Sequence, residues 1–113
     1  MTSTTMSPVE RIRAVNDAFR RTFAGGMVMI TAGVEAMSRD QRRALLEKVR
    51  AFETFTDDND PHGEHDFGAI DESGVRCFWK IDCYDRSTEF GSPDPADPAV
   101  TTRVLTIMRA DEY

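Results

Sequence analysis

Val75-Arg76-Cys77-Phe78-Trp79-Lys80-Ile81-Asp82 alternates without a break. Val75, Cys77, Trp79 and Ile81 fall on one side of an extended chain, and Arg76, Phe78, Lys80 and Asp82 on the other. This period of two marks a strand with one face on a core. Upstream, Phe67 to Ile70 reads as a shorter strand, and Asp71-Glu72-Ser73-Gly74 between the two is rich in turn formers. The pair predicts a β-hairpin, so the fold contains an antiparallel sheet against which the other segments are placed.

Towards the N-terminus the periodicity changes. Ser7-Pro8-Val9-Glu10 sets a hydroxyl at the N-cap, proline at N1 and a carboxylate at N3, a full capping box. Val9, Ile12, Val15, Phe19 and Phe23 follow at three- and four-residue steps, with Arg11, Arg13, Arg20 and Arg21 largely off that stripe. An amphipathic helix is expected from about Pro8 to Phe23, closed by Gly25-Gly26. Met27-Val28-Met29-Ile30 is too short for a helix and predicts a strand buried on both faces. Ser38-Arg39-Asp40-Gln41 is a second capping box, and Leu45, Leu46, Val49 and Phe52 carry a second helix from about Arg39 to Glu53. Its other face, Arg42, Arg43, Glu47 and Arg50, is expected to be solvated.

Downstream of Phe55, Thr56-Asp57-Asp58-Asn59-Asp60-Pro61-His62-Gly63 accumulates turn formers and acids and predicts a loop. Gly91-Ser92-Pro93-Asp94-Pro95-Ala96-Asp97-Pro98 predicts an irregular connection, because closely spaced prolines break both ladders. Residues 99–110 fit two periods, a helix through Val100, Val104 and Ile107 or a strand through Val104, Thr106 and Met108. Their β-branched content favours the strand. The order helix, strand, helix, strand, strand, strand predicts an α+β domain over residues 7–113: two amphipathic helices on one face of a mainly antiparallel sheet of about four strands. Residues 1–6, rich in Thr and Ser and without periodicity, are expected to be disordered.

The chain's 113 residues are 40% hydrophobic and 30% charged, which suits one soluble domain with its own core. Thr22 to Val34 is a charge-free stretch of thirteen residues holding three glycines, too short for a membrane span and without the basic flank of a signal peptide. A cytoplasmic location is expected, and Cys77 and Cys83 form no disulfide framework. The net charge of −6 conceals a division. Residues 1–52 hold nine basic groups against five acids, and residues 53–113 five against fifteen, net charges of +4 and −10. Glu53 to Glu72 contains eight carboxylates and no Lys or Arg, an asymmetry that points to an interaction face or a cation site.

Within that segment, Asp58, Asp60 and His62 with Gly63 imitate the start of a calcium loop, but Ala69 stands where a bidentate Glu is required. Glu64, His65 and Asp66 offer a general base and carboxylates for metal-assisted hydrolysis, with His65 and Asp66 as candidate ligands and His62 beside them. The bland reading is a solvated acidic turn whose side chains cap backbone amides. Ser73, Ser87 and Ser92 lie in no recognisable nucleophile setting, Cys77 shares a strand face with Trp79, and the Cys77–Cys83 spacing is not a zinc knuckle. Lys80, Tyr84 and Arg86 are candidates for a shallow site beside the acidic loop, salt-bridged to it. Phosphate-binding glycine loops are missing, so no nucleotide cofactor is expected.

Asn59-Asp60-Pro61-x-Gly63-Glu64-His65-Asp66-Phe67-Gly68, followed by Phe78-Trp79-Lys80-Ile81-Asp82, by the proline-rich 91–98 segment and by Arg103-Val104-Leu105-Thr106-Ile107-Met108, resembles a domain-of-unknown-function family. Its members are small proteins, mostly alphaproteobacterial and plasmid-borne. The resemblance implies no defined activity. It implies a setting among accessory genes of mobile elements, often near antirestriction genes, and hence a role in plasmid maintenance or in blocking host defence. Aromatic residues are usual in the family where this chain has His62, Cys77 and Cys83, which leaves Glu64, His65 and Asp66 as the residues of interest.

Together these observations favour an acidic, non-enzymatic interaction protein that needs no cofactor. Asp57, Asp58, Asp60, Glu64, Asp66, Asp82, Asp85 and Glu89 would engage a protein with a basic surface, such as a nucleic-acid-binding defence effector. Direct nucleic-acid binding is disfavoured by the charge, and no membrane is involved. The alternatives are a small hydrolase or nuclease built on Glu64, His65 and Asp66, and a homo-oligomeric structural protein, a homodimer in its simplest form.

Overall fold

The computed structural model describes residues 5–113, so the expectation for residues 1–4 lies outside it. The elements are α1 (Pro8–Thr22), β1 (Met27–Ile30), α2 (Ala32–Glu35), α3 (Arg39–Arg50), β2 (Phe67–Glu72), β3 (Val75–Tyr84) and β4 (Thr102–Arg109), with 3-10 turns at Pro98–Val100 and Ala110–Glu112. This is the expected α+β fold, with the short α2 as an addition. The sheet order is β1-β4-β3-β2, antiparallel throughout except for the parallel pair β1 and β4.

The hairpin forms as its alternation dictates. Cys77, Trp79 and Ile81 are buried at 0–5% exposure and pack with Ile70, Leu105 and Ile107 of the sheet and with Phe19, Val34, Leu45 and Val49 of the helices. Ser73 and Gly74, both with positive φ, make the two-residue turn whose twist matches the strands it joins. Gly68 lies opposite Trp79 on β2, where a Cβ would sit 2.3 Å from the indole Nε1. Only glycine lets the indole lie flat on that strand. Residues 102–109 are a strand, and its core face is Arg103, Leu105 and Ile107.

Both expected capping boxes are present, at Ser7–Glu10 and Ser38–Gln41. Three helical expectations are corrected. α1 is closed by Phe23 in the left-handed conformation, one turn residue before the glycines. α3 ends at Arg50. The buried face of α1 is Asn16, Asp17, Phe19 and Arg20, while Val9 is 38% exposed. The polar members of that face have partners on the loop before β2.

β1 is also corrected. It is an edge strand, with Met27 and Met29 each 51% exposed. Its run of apolar residues has one face on the helical layer, through Val28, and the other on the side of the sheet that carries no helix. That open face also presents Phe67, Phe78, Lys80, Val104, Thr106 and Met108, with Tyr113 packed edge-on against Phe67 and Phe78. The C-terminal turn is tied back to α2: Thr31 Oγ1 and the Gly33 N–H donate to the Glu112 carboxylate at 2.6 and 2.9 Å. These bonds hold the Glu112 carboxyl below its ordinary pKa. Among the described residues no helix is long and apolar enough to cross a membrane.

Candidate functional site

The loop 53–66 is held against α1 by a row of side chains at helical spacing. Arg13 Nε donates to Gly63 O at 2.6 Å, Asn16 Nδ2 to Glu64 O at 2.9 Å, and the His65 ring nitrogen Nδ1 meets the Asp17 carboxylate at 2.9 Å. Arg20, one turn on, pairs with Asp17 at 2.9 Å and donates to Val49 O and Phe52 O at the end of α3. Its guanidinium is fully buried, 5.1 Å from the Trp79 ring and 5.4 Å from that of Phe55. The fork thus supplies donors to two carbonyls at a helix C-terminus, Val49 O also accepting from Phe52 N–H, and a cation to Asp17. Positions 13, 16, 17 and 20 form an i, i+3, i+4, i+7 stripe. That polar periodicity was the signal for them, and an apolar reading of the helix passes over it.

His65 is the pivot of the loop. Its φ of 54° is left-handed, a conformation that costs a non-glycine residue about 1 kcal/mol or more. The cost is offset by contacts on every side of the residue. Its N–H faces the Asp60 carboxylate at 3.3 and 3.4 Å, Nε2 lies 3.6 Å from Asp60 Oδ2, and the ring stacks on Phe55 at 3.6 Å between centroids. The imidazole is therefore turned towards α1 and Asp60. Glu64 and Asp66, on either side of it, line a different space.

That space is a cleft of about 210 Å³ bounded by Ile12, Asn16, Glu64, Asp66, Ile81, Asp82, Cys83 and Pro95. Burial raises the carboxyl pKa of both Glu64 and Asp66, and neighbouring carboxylates add to it against a smaller opposing effect of His62: Asp66 and Asp60 act on Glu64, and Asp60 and Asp82 act on Asp66. No Lys or Arg lines the cleft. Behind it the buried Arg103 donates to Asn16 Oδ1 at 2.8 Å and to Pro95 O, bracing the wall. Burial also pushes the Cys83 thiol up, so the cleft holds a neutral thiol and no nucleophilic thiolate.

The expected acidic residues separate into three groups. Glu64, Asp66 and Asp82 meet at the cleft, Asp82 also pairing with Lys80 at 2.9 Å. Asp57, Asp58 and Glu89 are exposed. Asp60 and Asp85 are occupied internally: Asp60 is 9% exposed and serves His65, while Asp85 accepts from Ser87 Oγ and from the Glu89 N–H as the cap of its turn. Asp60 is thereby largely withdrawn from the surface on which a partner-binding role was expected of it. The trio Glu64, His65 and Asp66 does not converge: the left-handed His65 turns its ring to Asp17 and Asp60, while Glu64 and Asp66 line the cleft. Among the described residues no three His, Cys, Asp or Glu side chains are grouped as ligands of one metal ion. Lys80 lies on the open face and Arg86 in the exposed turn after β3, so with Tyr84 they do not form a site salt-bridged to the acidic loop.

No curated protein and no solved structure matches the chain. One family does, described as a protein of unknown function (DUF3768), and the match runs over residues 30–112, from the end of β1 through the loop, the hairpin and β4 to the C-terminal turn. Because that match covers most of the chain and includes the whole of the cleft except the α1 side, the chain belongs to this family.

Proposed function

We propose that this chain is a non-enzymatic interaction protein that receives a basic side chain of a protein partner in the Glu64–Asp66–Asp82 cleft. The observation that carries the reading is the cleft's charge: Glu64 and Asp66 are held together and partly desolvated, no Lys or Arg lines the cleft, and of its carboxylates Asp82 alone has a cationic partner, Lys80 at 2.9 Å. An incoming guanidinium or ammonium would relieve that repulsion, which makes the site selective for cations. Its volume of about 210 Å³ is below the roughly 300–1,000 Å³ of small-molecule pockets and suits one Arg or Lys side chain. Exposed Asp57, Asp58 and Glu89 extend the negative field around it and would speed encounter. The family's setting on mobile elements directs this reading to a nucleic-acid-binding defence protein in the cytoplasm, whose phosphate-binding groove the carboxylates would occupy.

The test is binding to purified basic nucleic-acid-binding effectors across a salt series, with the variant Glu64→Gln/Asp66→Asn/Asp82→Asn alongside. Affinity that falls steeply with salt and is lost in the variant supports the proposal. Affinity indifferent to salt, or retained by the variant, overturns it. Metal analysis of the purified protein addresses the hydrolase: stoichiometric zinc or manganese that disappears with His65→Ala would replace this reading by catalysis at the Asp17–His65 pair.

A further inference from the structure

Independently of the cleft, the other edge of the sheet has an unfilled bonding row. Thr31 N–H donates to Ile107 O at 3.1 Å, which sets the parity of the parallel ladder with β4. By that parity Met27 and Met29 turn their N–H and C=O groups to β4, and Val28 and Ile30 turn theirs away from the sheet. An edge of this kind is a template for another strand unless something blunts it. Nothing in β1 does: Met27-Val28-Met29-Ile30 has no charge and no proline, and its side chains are half exposed.

The charge layout selects the occupant. The acidic segment from Glu53 to Glu72 ends in β2, at the opposite edge of the sheet from β1. Two chains of net charge −6 repel at most approaches, but joined through β1, whose four residues carry no charge, they meet with their Glu53–Glu72 segments at the two far ends, while Glu112, near the seam, is already bonded to Thr31 and Gly33. We infer that a second copy of this chain adds its β1 to this edge, antiparallel, across a two-fold axis that passes between the two Val28 residues.

The register follows from the parity. Val28 faces Val28 of the second copy and exchanges both N–H···O bonds, which places Ile30 opposite Gly26 of that copy at either end of the seam. Met27 then stands directly opposite Met29 of the second copy, twice, in the closer non-hydrogen-bonded pairs. Both methionines project from the open face beside the half-buried Val104 and Thr106, so the four of them would form one apolar strip across the joined sheet. The interface is isologous and closed, as a two-fold contact requires. The two four-stranded sheets become one.

Sedimentation velocity and light scattering of the full chain over a concentration series test this. A reversible dimer of the 12.7 kDa chain is expected. Met29→Lys, at a position 51% exposed, should leave the melting temperature unchanged when read well below the dimer midpoint and move that midpoint to about tenfold higher concentration or beyond, since it sets a charge directly against the apolar Met27 of the second copy. The double variant Met27→Cys/Met29→Cys should form a covalent dimer on mild oxidation, because the opposed Cα atoms would lie about 4.5 Å apart, within disulfide reach. A chain that remains monomeric at all attainable concentrations overturns the inference. So does a dimer indifferent to Met29→Lys, which would place the contact elsewhere, or failure of the cysteine variant to cross-link while the wild type dimerises.

Discussion

Replacing Arg20 with methionine removes a charge that lies at 0% exposure, and the structure sets the size of the effect. The side chain's length and apolar stem are kept, so the change isolates the guanidinium. Phe52 O loses its donor at 2.9 Å, Val49 O loses one at 3.1 Å, and Asp17 loses its ion pair at 2.9 Å and is left with His65. Breaking a buried pair by removing one member costs about 3–5 kcal/mol, and an unmet carbonyl contributes within that range. Unfolding entropy of about 2.1 cal/mol/K per residue gives about 0.24 kcal/mol/K for 113 residues, so the melting temperature should fall by about 12–21 °C. Differential scanning calorimetry reads this directly. Arg20→Lys keeps the charge but has no fork to span two carbonyls, and should fall between the two. Arg21→Met, one residue on and exposed, is the control and should stay within about 0.5 kcal/mol of wild type. A fall for Arg20→Met of less than about 4 °C, near 1 kcal/mol, would show that the guanidinium does not hold α1 to the end of α3, and would refute the account of the loop clamp.

The cleft makes a prediction of opposite sign. A carboxyl whose folded pKa is raised binds its proton more tightly folded than unfolded, so stability falls as pH rises through the window just above the ordinary carboxyl range, and the full cost is present at neutral pH. Asp66→Asn should therefore raise the melting temperature at neutral pH and lose that advantage in acid, where wild-type Asp66 is protonated; an unchanged or lower melting temperature at neutral pH would contradict the desolvated cleft. Gly68→Ala sets a Cβ 2.3 Å from Trp79 Nε1 and 2.9 Å from Phe52 Cζ, and should cost about 1–3 kcal/mol with a change in tryptophan fluorescence. His65→Ala leaves a left-handed backbone without its ring contacts to Asp17 and Phe55. Its melting temperature should drop, and proteolysis should begin between residues 54 and 66.

The parts of this fold legible in the sequence are those where one physical signal acts alone. Val75 to Asp82 alternates because one face is buried and the other is not, and both capping boxes are local bonds that need no tertiary partner. β1 was misjudged because four apolar residues in a row look the same whether a strand is covered on both faces or is an edge. The sheet order that distinguishes them depends on the distant β4. Arg20 lies off the apolar stripe of its helix, the place where an arginine usually meets solvent. What buries it is the end of α3 and Trp79, more than 25 residues away in each case. The same holds for Asp60, one acid among eight in its segment and the one buried at 9%.

The acidic segment thus serves two purposes that its composition does not separate. Asp17 and Asp60 are spent on holding His65, and His65, by turning the chain, sends Glu64 and Asp66 to the other side. The αL residue and its two carboxylates determine where the unsatisfied charge appears. Were Glu64 and Asp66 merely solvated turn residues, they would gain nothing from that strain and would not carry raised pKa values. A fold that sets a histidine in a costly conformation and crowds Glu64 and Asp66 in a cleft that no Lys or Arg lines gives up stability at that point. On the proposed reading the return lies in what the cleft would bind, so Asp66→Asn should gain stability and lose that binding together.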